Sequence, residues 1–149
     1  MNAATDQLAQ TRGTISHAPP INRDALWIRV GAVVLMALIF WSSAQSGGGD
    51  IPEWGHVLAH FVEYALLAAL WLWALRLRIG RRAFVAAALI TVAYAVSDEI
   101  HQSFVPGRFS DPFDVLVDAL GAATALGLAY LSYARGKAST RRTQSQSNG

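Results

Sequence analysis

Long apolar runs alternate with short polar connections along most of this chain. Four runs cover residues 25–44, 56–75, 83–102 and 114–133, and each is close to the ~20 residues with which an α-helix crosses a bilayer. They are rich in Ala and Leu and show no period-two alternation, which argues against the strands of a membrane β-barrel. The pattern predicts an all-α integral membrane protein with four transmembrane helices, and the short connections favour an up-and-down bundle.

The flanking segments and the composition refine this picture. With 53% hydrophobic residues and a mean hydropathy of +0.30, the chain is too apolar for an ordinary soluble domain of 149 residues. We predict one domain over residues 25–134 and polar, disordered tails over residues 1–24 and 135–149. The first run resembles a signal peptide with a cleavage site near Ala44, but its length and the long polar stretch before it favour a retained helix. Cysteine is absent, which excludes disulfides and thiolate chemistry.

Basic and acidic residues lie at opposite ends of the predicted helices. Eleven of the 12 Lys and Arg residues precede or open the first run, separate the second from the third, or follow the fourth, whereas eight of the ten acids lie with Arg108 at the other end. Basic loops stay in the cytoplasm. Both termini are therefore predicted to be cytoplasmic. We interpret the basic end as a signal for orientation in the membrane and as a surface that contacts anionic lipids, not as a nucleic-acid site.

Polar residues cluster at the acidic end of three predicted helices. His56, His60 and Glu63 form one stripe on the second helix, Asp98 and Gln102 share a face of the third, and aspartates open the fourth. A rise of ~1.5 Å per residue from the basic ends places these groups at similar depth. Ionisable groups in a membrane are costly unless they are paired, so we expect them to face one another in an outward-facing pocket.

The predicted pocket joins these stripes to the last connection. Its residues are His60, Glu63, Tyr64, Asp98, Glu99, Gln102, Arg108, Asp114 and Asp118. The simplest interpretation is a hydrogen-bonded network that locks the bundle. Arg108 is the expected counter-ion of one of three carboxylates, those of Asp98, Glu99 and Asp114. Its guanidinium also has the charge and shape to recognise a phosphate or carboxylate at the membrane surface.

Metal binding is an alternative use of the same residues. His60 and Glu63 have the spacing of paired ligands on a helix, and His101 on the next helix is a further candidate ligand. The sequence contains no recognised metal motif such as HExxH. We therefore predict no cofactor, with a divalent metal as the alternative.

Three stretches give the chain a family resemblance. They are IFWSSAQSG at the end of the first predicted helix, HFVEYALLAALWLWAL in the second, and SDEIHQSFVPGRFSDPFDVLVDALGA across the last connection. Over residues 25–133 the chain resembles the VanZ-like family of small bacterial membrane proteins. The family pattern falls on His60, Phe61, Tyr64, Ser97, Asp98, Glu99, Gln102, Arg108, Asp114 and Gly121. Two departures are Asp118, where the family usually has Asn, and His56-Val57, which replaces a frequent Asp-Lys pair.

The resemblance implies a role in the cell envelope. The founding member is associated with resistance to teicoplanin, a glycopeptide antibiotic that acts there. We therefore expect an outward pocket that binds a lipid or glycan headgroup or contributes to teicoplanin tolerance. The expected partners are membrane lipids and either a lipid-linked envelope precursor or an amphiphilic antibiotic; the oligomeric state stays open. A binding role is favoured over catalysis.

Two other functions compete with binding. An intramembrane hydrolase or transferase would act on a lipid-linked precursor, with His60, Glu63 or Asp98 as the catalytic candidates and one of them as general base. A carrier of ions or protons is disfavoured, because residues 65–75, 83–92 and 120–134 carry no charge. No conduction path is therefore predicted through the basic half of the bundle.

Overall fold

Four α-helices form the described part of the protein. The computed structural model describes residues 23–45, 52–108 and 110–147, without the side chains of Glu53, Leu77 and residues 140–147. The helices are α1 (Arg23–Ser43), α2 (Glu53–Ile79), α3 (Arg82–Gln102) and α4 (Pro112–Ser147). All four are long and apolar enough to cross a membrane, and these residues contain no strand. The predicted all-α fold is confirmed for the described residues, with four helices that have the length and apolar composition to span a membrane.

The ends of the helices differ from the sequence prediction mainly at the C-terminus. Helix α4 continues to Ser147, through most of the segment for which the sequence predicts a disordered tail. No proline interrupts residues 134–147, and each residue added to an existing helix gains a backbone hydrogen bond. Of the predicted N-terminal tail, residues 1–22 lie outside the described residues, whereas Arg23 and Asp24 begin α1. Asp50, which the charge pattern assigns to the acidic end, also lies outside them.

Helix α2 is the centre of the bundle. It packs against each of the other three helices, while α3 also packs against α4 and contacts α1 over a smaller area. The buried positions are dominated by small and aliphatic residues, namely Ala32, Ala68, Ala83, Ala87, Ala95, Ala122, Leu67 and Leu72. Small side chains let helices approach closely in a membrane, where packing replaces the hydrophobic effect as the source of helix association.

Helices α2 and α4 approach each other very closely at Gly121. A Cβ atom added at Gly121 would overlap the main-chain carbonyl oxygen of Phe61. The glycine therefore lets the backbones of α2 and α4 touch, one turn below the polar end of the bundle. This contact brings the polar stripes of the two helices together.

Helices α2 and α3 are joined by a tight turn at the basic end. Gly80 has a φ of 55° and its N–H donates to the carbonyl oxygen of Arg76 at 3.1 Å. Only glycine adopts this conformation readily. The turn places Arg81 immediately after the end of α2, beside the last basic residues of that helix.

Candidate functional site

A buried histidine–carboxylate pair connects α2 and α4. His60 Nδ1 lies 3.1 Å from Asp118 Oδ1, and the two side chains are only 14% and 1% exposed. The close approach at Gly121, three residues after Asp118, makes this distance possible. When the imidazole is neutral, a proton on Nδ1 donates to the carboxylate, which leaves Nε2 as an acceptor. The pair thus holds the position of the imidazole, and an ionised Asp118 favours the tautomer with its proton on Nδ1.

A second buried carboxylate connects α1 and α3. Asp98 Oδ1 accepts a hydrogen bond from Ser43 Oγ at 2.7 Å, and Asp98 Oδ2 accepts one from Gln102 Nε2 at 3.0 Å. All three side chains are buried. Neutral donors therefore satisfy Asp98 without a cation. Ser43 is absent from the predicted site, because its place among the small residues Ser42 to Ala44 suggested a cleavage signal and not a ligand for a carboxylate.

A polar cavity of about 230 Å³ opens between α1, α2 and the connection after α3. Four residues of the predicted site line it, namely His60, Glu63, Asp98 and Arg108. The other lining residues are Ile39, Ser42, Ser43, Gln45, His56 and Ala59. The structure thus gathers part of the predicted set around one space and adds to it the end of α1, which the sequence prediction left out.

Arg108 contributes a cation to this cavity and has neutral partners. Its Nε donates to the carbonyl oxygen of Gln45 at 3.3 Å and its Nη2 to that of Ser42 at 3.4 Å. Within the described residues it forms no ion pair with a carboxylate. The predicted counter-ion role is not realised, because Asp98 is already held by Ser43 and Gln102. The guanidinium joins the last connection to the end of α1, and none of the described carboxylates forms an ion pair with it.

Five members of the predicted site lie outside the cavity lining. Two of them, Gln102 and Asp118, hold residues that line it, and the other three have different surroundings. Glu99 Oε2 accepts from Ser110 Oγ and from the backbone N–H of Asp111, both at 2.8 Å, and so ties α3 to the start of α4. Asp114 lies half-buried in the first turn of α4. Tyr64 is fully buried, and its hydroxyl has no partner among the described residues.

His101 is separated from the other candidate metal ligands. Its ring stacks on Phe40 with 3.9 Å between the centroids, and it does not line the cavity that holds His60 and Glu63. Among the described residues no group of three or more His, Cys, Asp or Glu side chains has an arrangement that could hold a metal ion. The alternative ligand set of His60, Glu63 and His101 is therefore not assembled.

Comparison with known proteins settles the family. The family model described as VanZ/LLP1 matches residues 30–133. This chain belongs to the VanZ/LLP1 family. No curated protein and no solved structure matches it. The VanZ/LLP1 match covers the bundle from the first turns of α1 to the middle of α4, so it includes the cavity and both buried carboxylates, and it makes the chain a VanZ-like multi-pass membrane protein.

Proposed function

We propose that this VanZ/LLP1 protein works at the outer face of the bacterial cytoplasmic membrane, where its polar cavity binds an anionic headgroup. The ligand would be the headgroup of a lipid or glycan, or part of an amphiphilic antibiotic of the teicoplanin type. The observation that carries the proposal is Arg108, a cation at the cavity with no carboxylate partner among the described residues. Phosphate and carboxylate groups are the natural complements of such a guanidinium.

The size of the cavity limits what it can hold. Its volume of about 230 Å³ is below the ~300–1,000 Å³ usual for drug-sized ligands. A phosphate or a single sugar fits this description better than a whole glycopeptide does. The rest of a larger ligand would remain in the membrane interface, beside exposed aromatic residues such as Trp54 and Phe104.

A second candidate function follows from the His60–Asp118 pair. A carboxylate that orients an imidazole is a recurring arrangement of general bases, in which the free nitrogen takes a proton from water or a hydroxyl. His60 also lines the cavity. An intramembrane hydrolase or transferase acting on a lipid-linked envelope precursor would use His60 in this way, with Glu63 beside it.

The decisive test is ligand binding by the purified full chain in nanodiscs, with teicoplanin and undecaprenyl diphosphate as probes. We expect Arg108→Gln to weaken binding of at least one probe by about tenfold or more, because a hydrogen bond to a charged group contributes ~1.5–3 kcal/mol. Arg78→Gln is the matched control, since Arg78 is an exposed arginine at the other end of the bundle and binding should be unchanged. Equal losses in the two variants would argue against a headgroup site at Arg108.

The same samples separate binding from catalysis. Incubation with undecaprenyl diphosphate and analysis for released phosphate tests turnover directly. Product from the wild type that disappears in His60→Gln, with probe binding retained, would favour the enzyme. Binding without product would favour the headgroup-binding protein.

A further inference from the structure

The basic end of the bundle carries two neighbouring cavities, remote from the polar cavity described above. One has a volume of about 220 Å³ and is lined by Leu72, Arg76, Gly80, Arg81, Phe84, Ala129 and Tyr133. The other, of about 350 Å³, is lined by Arg81, Tyr130, Tyr133, Ala134, Lys137 and Ala138. Arg81 and Tyr133 belong to both linings, so the two spaces are adjacent parts of one region between α2, α3 and α4.

Cations and aromatic groups surround this region. Arg76, Arg81 and Lys137 provide three positive charges, and the described residues that line the two cavities include no acidic side chain. Phe84 and Tyr130 pack edge to face with 5.8 Å between their centroids. Leu72 and Ala129 extend one cavity towards the apolar part of the bundle. A charged rim above an apolar wall complements a molecule with an anionic head and a hydrocarbon tail.

The geometry points to a binding site for an anionic phospholipid, with the phosphate of its headgroup held by Arg76, Arg81 and Lys137. The beginning of an acyl chain lies along Leu72 and Phe84 in this arrangement. The turn at Gly80 is part of the site, because Gly80 lines the same cavity as Arg76 and Arg81. Basic pockets between transmembrane helices are a recurring way of binding lipid headgroups. This site is independent of the ligand proposed for the polar cavity.

Two neighbouring arginines provide matched controls. Arg78 lies in the last turn of α2 and Arg82 opens α3. Both are exposed, and neither lines either of these two cavities. Each control changes the net charge by the same amount as Arg76→Gln or Arg81→Gln. A site-specific effect can therefore be separated from the general attraction between a basic surface and anionic lipid.

The experiment is native mass spectrometry of the full chain in detergent micelles containing equal amounts of phosphatidylglycerol and phosphatidylcholine. We expect the wild type to retain phosphatidylglycerol preferentially, and Arg81→Gln to lower its retention about fivefold. Arg78→Gln and Arg82→Gln should leave retention within a factor of two of the wild type. Arg81→Lys should keep most of the binding, which shows that a loss in Arg81→Gln reflects charge and not misfolding.

Three results would overturn the proposal. The first is equal retention of the two lipids by the wild type. The second is the same loss in the control variants as in Arg81→Gln, which would mean general surface attraction. The third is displacement of phosphatidylglycerol by inorganic phosphate at equal concentration, which would make the region a site for the free anion.

Discussion

Asp118 holds His60 in this protein, at a position where the family usually has asparagine. An asparagine oxygen can accept the same hydrogen bond from Nδ1, although without the negative charge. Asparagine at residue 118 would therefore keep the hydrogen bond to His60 and remove the charge.

The first prediction compares two replacements of this residue. Asp118→Asn should change stability by less than about 1 kcal/mol, whereas Asp118→Ala should cost ~1–3 kcal/mol because it leaves a largely buried N–H of His60 without a partner. Thermal unfolding of the purified protein in detergent measures both. Asp114→Asn, one turn earlier and half-buried, is the control and should be close to the wild type. Equal destabilisation by Asp118→Asn and Asp118→Ala would show that the charge itself is required.

For single residues, the sequence predicted at which end of the helices the polar side chains lie. It did not predict which groups they form hydrogen bonds with. Helical periodicity placed His60 and Glu63 on one face, and the structure brings both to one cavity. The sequence also suggested that Arg108 would form an ion pair with a carboxylate, whereas its partners are main-chain carbonyl oxygens. The choice between an acid and a carbonyl depends on the side chains that already occupy each carboxylate, and a single helix pattern does not contain that information.

The helices are held together by contacts that depend on single small residues. Gly121 is the clearest case, because no side chain fits between its Cα and the carbonyl of Phe61. Gly127, less than two turns later in α4, has open space around the position of a Cβ atom. Gly121 is therefore required for close packing of α4 against α2, whereas a larger residue would fit at Gly127 without a clash.

This difference gives the second prediction. Gly121→Ala should lower stability by about 2–3 kcal/mol, because the added methyl group forces α2 and α4 apart. Gly127→Ala should be neutral or stabilise by up to ~1 kcal/mol, as expected from helix propensity. The unfolding temperatures of the two variants in the same detergent provide the measurement. Similar temperatures for both would mean that α2 and α4 are not in backbone contact.

The connection between α3 and α4 supports a third prediction. Ser110→Ala removes one of the two hydrogen bonds that Glu99 accepts from this segment, so it should destabilise the connection by ~1 kcal/mol. Hydrogen exchange of residues 103–112 should become severalfold faster. Ser103→Ala serves as the control, since the Ser103 hydroxyl donates to the carbonyl oxygen of Ile100 in the last turn of α3 and not to the segment around Ser110. Unchanged hydrogen exchange in Ser110→Ala would mean that the hydrogen bond from Ser110 to Glu99 does not stabilise this connection.

The sequence predicted the presence of the four helices better than it predicted where they end. All four apolar runs are helices that can span a membrane, because hydropathy and length decide this property locally. The end of α4 was predicted less well. A polar composition indicates that a segment leaves the bilayer, but it does not say whether the helix stops there.

Along the sequence, eleven of the 12 bases and eight of the ten acids belong to opposite ends of the four helices. The positive-inside rule then predicts that both termini face the cytoplasm. The absence of native cysteine makes this orientation simple to measure, because one introduced thiol is the only site for a maleimide.

The fourth prediction uses this property. Ser103→Cys lies in the connection after α3 and should react with a membrane-impermeant maleimide in intact cells. Arg78→Cys lies at the opposite end of the bundle and should react only after the membrane is opened. The reverse pattern would place the polar cavity on the cytoplasmic side and would end the proposed role at the outer face.

The pairing of His60 with Asp118 also has a consequence for the order in which the protein is made. The ribosome synthesises His60 with the second span and Asp118 with the fourth, and 57 residues lie between them in the sequence. During synthesis the imidazole therefore enters the membrane before its partner exists. Bundle closure must wait for the last helix, so a chain that stalls after α3 exposes an unpaired polar group, the kind of feature by which membrane quality control can recognise an unfinished protein.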